Sequence, residues 1–260
     1  MALTYQTYLK IDELLALQEP RSEGPEHDEL LFIVIHQVYE LWFKEVLHEL
    51  EFLQARLAAE DMPATLRAMK RILTILKVLV AQVDILETMT PVDFLSFRAH
   101  LERGSGFQSA QFREVEFLLG HKRPDPLANY APGSAERTRL ERRLGEPTLW
   151  DGFLHHLARA GHRVPTALLE RDVTQPCPPS PEVQRILLGV YRKDPALMQL
   201  CERLVDLDEG LMEWRYRHVQ MVRRTIGTKE GTGGSEGAAY LATTLMRPVF
   251  PDLWAIRAEL

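Results

Sequence analysis

The stretch from about Pro195 to Gly237 constrains the fold most: a long amphipathic helix with a histidine on its apolar face, then a glycine-rich run. Leu204, Leu207, Leu211, Trp214, His218, Met221 and Thr225 recur at three- and four-residue steps, so a 3.6-residue helix carries them on one side. Asp206, Glu213, Arg217, Arg223 and Arg224 spread around the rest. His218 therefore points into the protein. A neutral imidazole there needs a hydrogen-bond partner or a metal, because an unpaired buried ring nitrogen costs on the order of 1–3 kcal/mol. A satisfied core histidine and a ligand histidine both meet that demand. Gly227 stops the helix, and Gly231-Thr232-Gly233-Gly234-Ser235 follows. Such a run lets backbone and small hydroxyls approach a ligand closely, and a flexible connection has the same composition. It is not a phosphate-binding P-loop, since no Gly-Lys-Ser/Thr follows and a helix precedes it.

The same period recurs upstream. From Asp28, suited to cap the start, to about Leu57, the residues Phe32, Ile35, Tyr39, Phe43, Val46, Leu50 and Leu53 align on one face. His36 sits within that face, a second inward histidine on a second long helix. Glu45 and His48 have the Glu-x-x-His spacing of di-iron bundles, but no second such motif accompanies them, so a solvated face is the expectation. Residues 4–17 read as a short helix capped by Thr4, and Pro63 opens another helix running to about Leu86. Thr90-Pro91-Val92-Asp93 resembles a capping arrangement before Phe94, Phe97 and Arg98. Arg98, among phenylalanines, must reach solvent, a salt-bridge partner or a ligand anion, and its planar fork suits a carboxylate. Gly104-Ser105-Gly106 breaks the chain before a helix from Ser109 to Leu119 closed by Gly120.

Further helical pieces are predicted near 134–144, 148–160 and 181–192, and from Ala238 to Met246 and Asp252 to Glu259. Strand-like alternation is scarce. The reading is a single all-α domain over residues 1–260, a helical bundle, with about 121–195 as a subsidiary helical insertion. Residues 1–20, with Tyr5 and Tyr8 on an apolar side, dock on their own core or on a neighbouring subunit.

A formal net charge of −6 argues against a nucleic-acid partner. The longest apolar run, Leu30 to Ile35, is far short of the ~20 residues a membrane span requires. Two cysteines in unlike contexts, Cys177 and Cys201, give no disulfide framework, and no signal peptide is legible, so the cytoplasm is the expected compartment. Two inward histidines, an aromatic surround and no carboxylate cluster suit a haem site better than zinc or non-haem iron. Those ions need three or more protein ligands, whereas haem needs one protein nitrogen.

Four runs in order carry a family resemblance: Leu31-Phe32-Ile33-Val34-Ile35-His36-Gln37 through Glu40-Leu41-Trp42; Phe97-Arg98 to Ser105-Gly106-Phe107-Gln108-Ser109; Trp214-Arg215-Tyr216-Arg217-His218; and Gly231-Thr232-Gly233-Gly234-Ser235. Together they resemble tryptophan 2,3-dioxygenase over nearly the whole chain. The resemblance implies an all-helical homotetramer with one haem b per subunit, active as Fe(II). The implied reaction is that of L-tryptophan with O2 to give N-formyl-L-kynurenine, the first step of tryptophan degradation. It also implies His218 as axial iron ligand, His36 as the distal histidine facing the indole N–H, and Ser105 and Gly106 at the cofactor. Phe32 and Phe94 would wall the substrate pocket, Arg98 clamp the carboxylate and Thr232 contact the ammonium group. Tyr5 and Tyr8 would reach a neighbour's pocket. Phe94 stands where some bacterial members have tyrosine, and Glu236 follows the glycine loop where a small residue is usual. A related haem enzyme acting on a modified indole, and a non-catalytic haem-binding protein, are the alternative readings.

Overall fold

The computed structural model describes residues 2–24, 26–102, 104–229, 231 and 238–260, with Phe107, Ala239 and Tyr240 described by backbone alone. The described secondary structure is helical throughout: α1 (Tyr5–Leu9), α2 (Ile11–Leu15), α3 (His27–Ala58), α4 (Met62–Leu86), α5 (Pro91–Phe97), α6 (Ala110–Leu119), α7 (Ala135–Leu144), α8 (Leu149–Arg159), α9 (Thr166–Leu169), α10 (Pro181–Lys193), α11 (Pro195–Ile226), α12 (Ala238–Ala242) and α13 (Pro251–Ala255). Short 3-10 turns link some of them. No helix among the described residues is long and apolar enough to cross a membrane.

Side chains fix where these helices begin. The Thr4 hydroxyl accepts the Thr7 N–H, and Thr90 and Asp93 form a reciprocal capping box at α5. Asp61 caps α4, Ser109 caps α6 and Asp194 caps α11. Some boundaries differ from the sequence expectation; the helix expected from Ala238 to Met246, for one, ends at Ala242. The N-terminal stretch is two short helices, because Lys10 takes a left-handed conformation with φ of 52°. Asp28 lies in the first turn of α3, after Glu26, where its charge meets the positive end of the helix dipole.

Helices α3, α4 and α11 form the frame, with α3 packed along α4 and α4 along α11. α6 and α8 close the other side of α3. Leu50, Leu53, Met69, Ile72, Phe153 and Leu204 meet in the main core at 1% exposure or less, each contributing about 1.5–3 kcal/mol by burial. Trp150 and Leu154 of α8, with Val183 and Leu187 of α10, share that core. A second cluster, with Ile35, Val83, Leu86, Phe94, Phe97 and Met221, fills the opposite end of the frame.

Buried ions fasten the periphery. Asp208 of α11 accepts hydrogen bonds from the N–H groups of Val249 and Phe250 and from Trp254 Nε1, at 2.9–3.0 Å. Lys122 Nζ donates to the carbonyls of Arg143, Leu144 and Glu146, capping the C-terminal end of α7. Near the N-terminus, Glu29 accepts from the Arg21 and Ser22 amides, and Gln37 donates to the Leu17 carbonyl. The chain is thus tied to α3 at residues 17–22, whereas Tyr5 and Tyr8 are 74% and 69% exposed.

Candidate active site

Helices α3, α4, α5, α6, α11 and α12, with the loops between them, line a cavity of about 230 Å³. From α3 come Phe32, His36, Tyr39, Glu40 and Phe43, spaced by three and four residues so that one helical face supplies all five. α11 supplies Trp214, Arg215 and His218, then Met221, Val222 and Thr225 one and two turns on. α6 supplies Phe112, Arg113 and Glu116, and the segment from Phe94 to Ser109 closes the remaining side with Phe94, Arg98, Ser105 and Gly106. The residues predicted on separate elements, Phe32, His36, Phe94, Arg98, Ser105, Gly106 and His218, therefore share one wall.

The two histidines are both neutral and are held differently. His36 Nδ1 lies 2.7 Å from the Phe32 carbonyl oxygen one turn earlier on the same helix. A carbonyl only accepts, so Nδ1 carries the proton and Nε2 presents a lone pair. Gly106 stands beside that edge: a Cβ there would come 3.8 Å from Nε2, so glycine leaves the space in front of the lone pair open. Burial lowers the His36 pKa, against the opposing pull of the Phe32 carbonyl and Glu40. For His218, burial and then the repulsion a second positive charge would meet from His36 and Arg113 push the pKa down to about 4. No hydrogen bond reaches the His218 ring from the described residues; Trp214 stacks on it, ring centroids 5.3 Å apart. Both imidazoles are half-buried because their accessible surface faces the cavity.

Phe32, Phe94 and Phe97 form a triangle with ring centroids 5.5–5.8 Å apart, the Phe94–Phe97 pair being edge-to-face. Phe32 also lies 4.1 Å from the His36 ring. Arg98 opens a 3-10 turn just beyond this triangle and lines the cavity. An aromatic slot bordered by a guanidinium on one side and a histidine acceptor on another suits a flat aromatic molecule that carries a carboxylate and an N–H donor.

Sequence reasoning did not single out the charged group on α6. Glu116 pairs with Arg113 at 2.5 Å, Arg123 at 3.0 Å and Arg215 at 2.9 Å while only 2% exposed. Burial alone would raise its pKa, but the three guanidiniums hold it down at about 2. Arg215 Nη1 also donates to His121 Nε2 at 3.1 Å, and burial together with that arginine drives the His121 pKa to about 4. Arg98, Arg113 and Arg215 line the cavity against Glu40 and Glu116, so positive charge is in excess there. The available signal was the spacing of Arg113 and Glu116, three residues apart on a helix rich in apolar residues.

Thr232 and Glu236 lie outside the described residues, as does most of the glycine run; Gly231 reaches the cavity wall. Tyr5 and Tyr8 are not part of the cavity of their own chain. Glu45 is half-buried and His48 exposed, and no cluster of three or more histidines, cysteines or carboxylates is placed to hold a bare metal ion among the described residues.

The tryptophan 2,3-dioxygenase family model matches residues 1–131 and 182–260. The stretch between the two matches holds α7, α8 and α9. A tryptophan 2,3-dioxygenase of Herpetosiphon aurantiacus is 62% identical over 259 residues, covering 100% of this chain and 99% of the relative. One from Anaeromyxobacter sp. (strain K) is 57% identical over 100% of this chain and 97% of its own length, and one from Caulobacter vibrioides is 47% identical over 99% and 98%. With its two long histidine-bearing helices around one aromatic cavity, the chain belongs to the tryptophan 2,3-dioxygenase family.

Proposed function

We propose that the protein is a haem-dependent dioxygenase that adds both atoms of O2 across the indole C2–C3 bond of L-tryptophan, giving N-formyl-L-kynurenine. The observation that carries this reading is the pair of neutral histidines on α3 and α11 facing one aromatic cavity, one with a free acceptor nitrogen and the other with no hydrogen bond from the described residues.

The donor set fits haem b. His218 would hold the haem iron through one uncharged imidazole, and no group of three or more donors that would favour a bare ion is present among the described residues. Trp214, packed flat against that ring, restrains its rotation. When bound as Fe(II), the haem supplies the redox chemistry that lets dioxygen react with the indole.

The protein's own residues position and exclude. His36 Nε2 accepts the indole N–H, which orients the ring, and Phe32 and Phe94 wall the pocket around it. Arg98 pairs with the substrate carboxylate, and Thr232 meets the ammonium group. The apolar ring cluster keeps bulk water from the reacting carbons. Tyr5 and Tyr8, exposed on a segment whose base is fixed to α3, complete the pocket of a neighbouring subunit in a homotetramer. The cytoplasm is the compartment this chemistry suits.

The test is direct. Ferrous haem-loaded protein, given L-tryptophan and isotopically labelled dioxygen, is expected to release N-formyl-L-kynurenine carrying both labelled atoms. Product with one labelled atom, or none, would refute the assignment.

A further inference from the structure

Deeper in the bundle, between α3, α4, α6 and α11, lies a second cavity of about 30 Å³. Its wall is wholly apolar, built from residues such as Ile72, Leu76 and Leu211. Phe43, Phe112 and Trp214 belong both to this wall and to the wall of the active cavity. The two spaces are therefore separated by one layer of side chains.

The void is not a sign of slack packing. Beside it, Gly210 brings α11 so close to α4 that a Cβ would lie 2.7 Å from Leu76 Cδ2, and Ile72 is 1% exposed. Protein interiors close such gaps where nothing is gained by leaving them, because the lining atoms lose contacts. Water is not a fitting occupant, since a buried water requires two to four polar partners and this wall offers none. A small apolar molecule requires no such partners.

We infer that this cavity is a holding site for dioxygen, the apolar co-substrate, which exchanges with the active cavity across the layer of Phe43, Phe112 and Trp214. The inference rests on the dioxygenase reading above. Phe43 and Phe112 meet at a centroid distance of 5.4 Å and Phe112 and Trp214 at 4.8 Å. Phe43 and Phe112 have no polar group, so turning their rings to let a diatomic gas through breaks no hydrogen bond of either side chain. The site stores dissolved gas beside the reacting centre and makes no bond to it.

Crystals of the haem-loaded enzyme pressurised with xenon, an apolar probe of such voids, should show xenon between Ile72, Leu76 and Leu211. Leu76→Phe fills the cavity from a residue outside the active-site wall. It is expected to exclude xenon and to raise the KM for dioxygen by about threefold or more, with KM for L-tryptophan and haem content unchanged. Val115→Leu, which adds a single methylene to the same wall, gives the same measurement with less disturbance if Leu76→Phe loses its fold. Absence of xenon from the wild-type cavity overturns the site, and so does an unchanged KM for dioxygen in a folded variant that excludes xenon. If the wild-type enzyme consumes no dioxygen with L-tryptophan, the dioxygenase reading itself fails and this site falls with it. Normal uptake with a negative xenon and kinetic result removes the holding site alone.

Discussion

Trp214 and His218 stack one turn apart on α11, their ring planes within 7° of parallel and their centroids 5.3 Å apart. The helix that carries the proposed iron ligand thus also carries the ring that fixes its orientation. His218→Ala should leave a folded helical protein that binds little haem. Trp214→Leu keeps the imidazole but frees its rotation, and should weaken haem affinity about tenfold to a hundredfold, the range found when the support of a metal ligand is removed. Haem titration checks both; a wild-type haem spectrum in His218→Ala would reject the axial assignment.

His36 acts, in this reading, through the lone pair on Nε2. His36→Ala should lower kcat/KM for L-tryptophan roughly tenfold, the worth of one hydrogen bond in a dry site. The variant should then turn over L-tryptophan and its N1-methyl analogue at similar rates, since the methyl analogue has no N–H to offer. If the variant still strongly prefers L-tryptophan, the hydrogen bond is not the source of selectivity.

Arg98→Ala should raise the KM for L-tryptophan about tenfold to a hundredfold, because a charge-assisted pair with a carboxylate contributes roughly 1.5–3 kcal/mol. Arg98→Lys should recover only part of this, an ammonium having no planar fork. Tryptamine, which has no carboxylate, should bind both variants and the wild type equally. Unchanged kinetics in Arg98→Ala would exclude the clamp.

Acid should destabilise the protein in two steps. His121, with an ordinary pKa of 6.5, is held at about 4 in the folded protein, so its contribution is complete above pH 6.5 and is lost as pH falls from 6.5 to 4. Glu116, ordinarily at 4.5 and held at about 2, contributes fully above pH 4.5 and loses that contribution as pH falls from 4.5 to 2. Each step is worth up to about 3 kcal/mol. Urea unfolding across this range measures both, and Glu116→Gln should remove the second step while destabilising the neutral protein by about 3–5 kcal/mol, leaving the arginines uncompensated.

Deletion of residues 1–20 should abolish most activity without unfolding the subunit, because Tyr5 and Tyr8 are largely exposed on their own chain and line no part of its cavity. Co-expression with Arg98→Ala subunits should restore activity. The Arg98→Ala subunit brings an intact N-terminal segment, and the truncated subunit brings an intact Arg98. Mixed tetramers that bind haem and stay inactive would show that each segment serves its own subunit.

Much of this protein is legible in the chain because helices are local. The caps at Thr4 and Thr90, the break after Leu86 and the inward face of the helix with Leu204, Leu211 and Trp214 follow from side chains a few residues apart. Lys10, whose left-handed backbone splits the first helix, escaped because nothing in lysine's chemistry demands that conformation. His36, Arg98 and His218 stood out one by one, and the rest of the candidate set came only through the family resemblance.

What the sequence by itself determined is the all-α class, the faces that turn inward and the two histidines on those faces, since a 3.6-residue period fixes them without reference to the rest of the chain. Tertiary structure alone decided which faces meet. It set Arg215 of α11 against Glu116 of α6, 99 positions away in the chain, and so buried a carboxylate among guanidiniums. It also left a second, apolar space behind Phe43, Phe112 and Trp214. Charge pairing and empty volume depend on distances between helices, and those distances are set only when whole surfaces of side chains have packed.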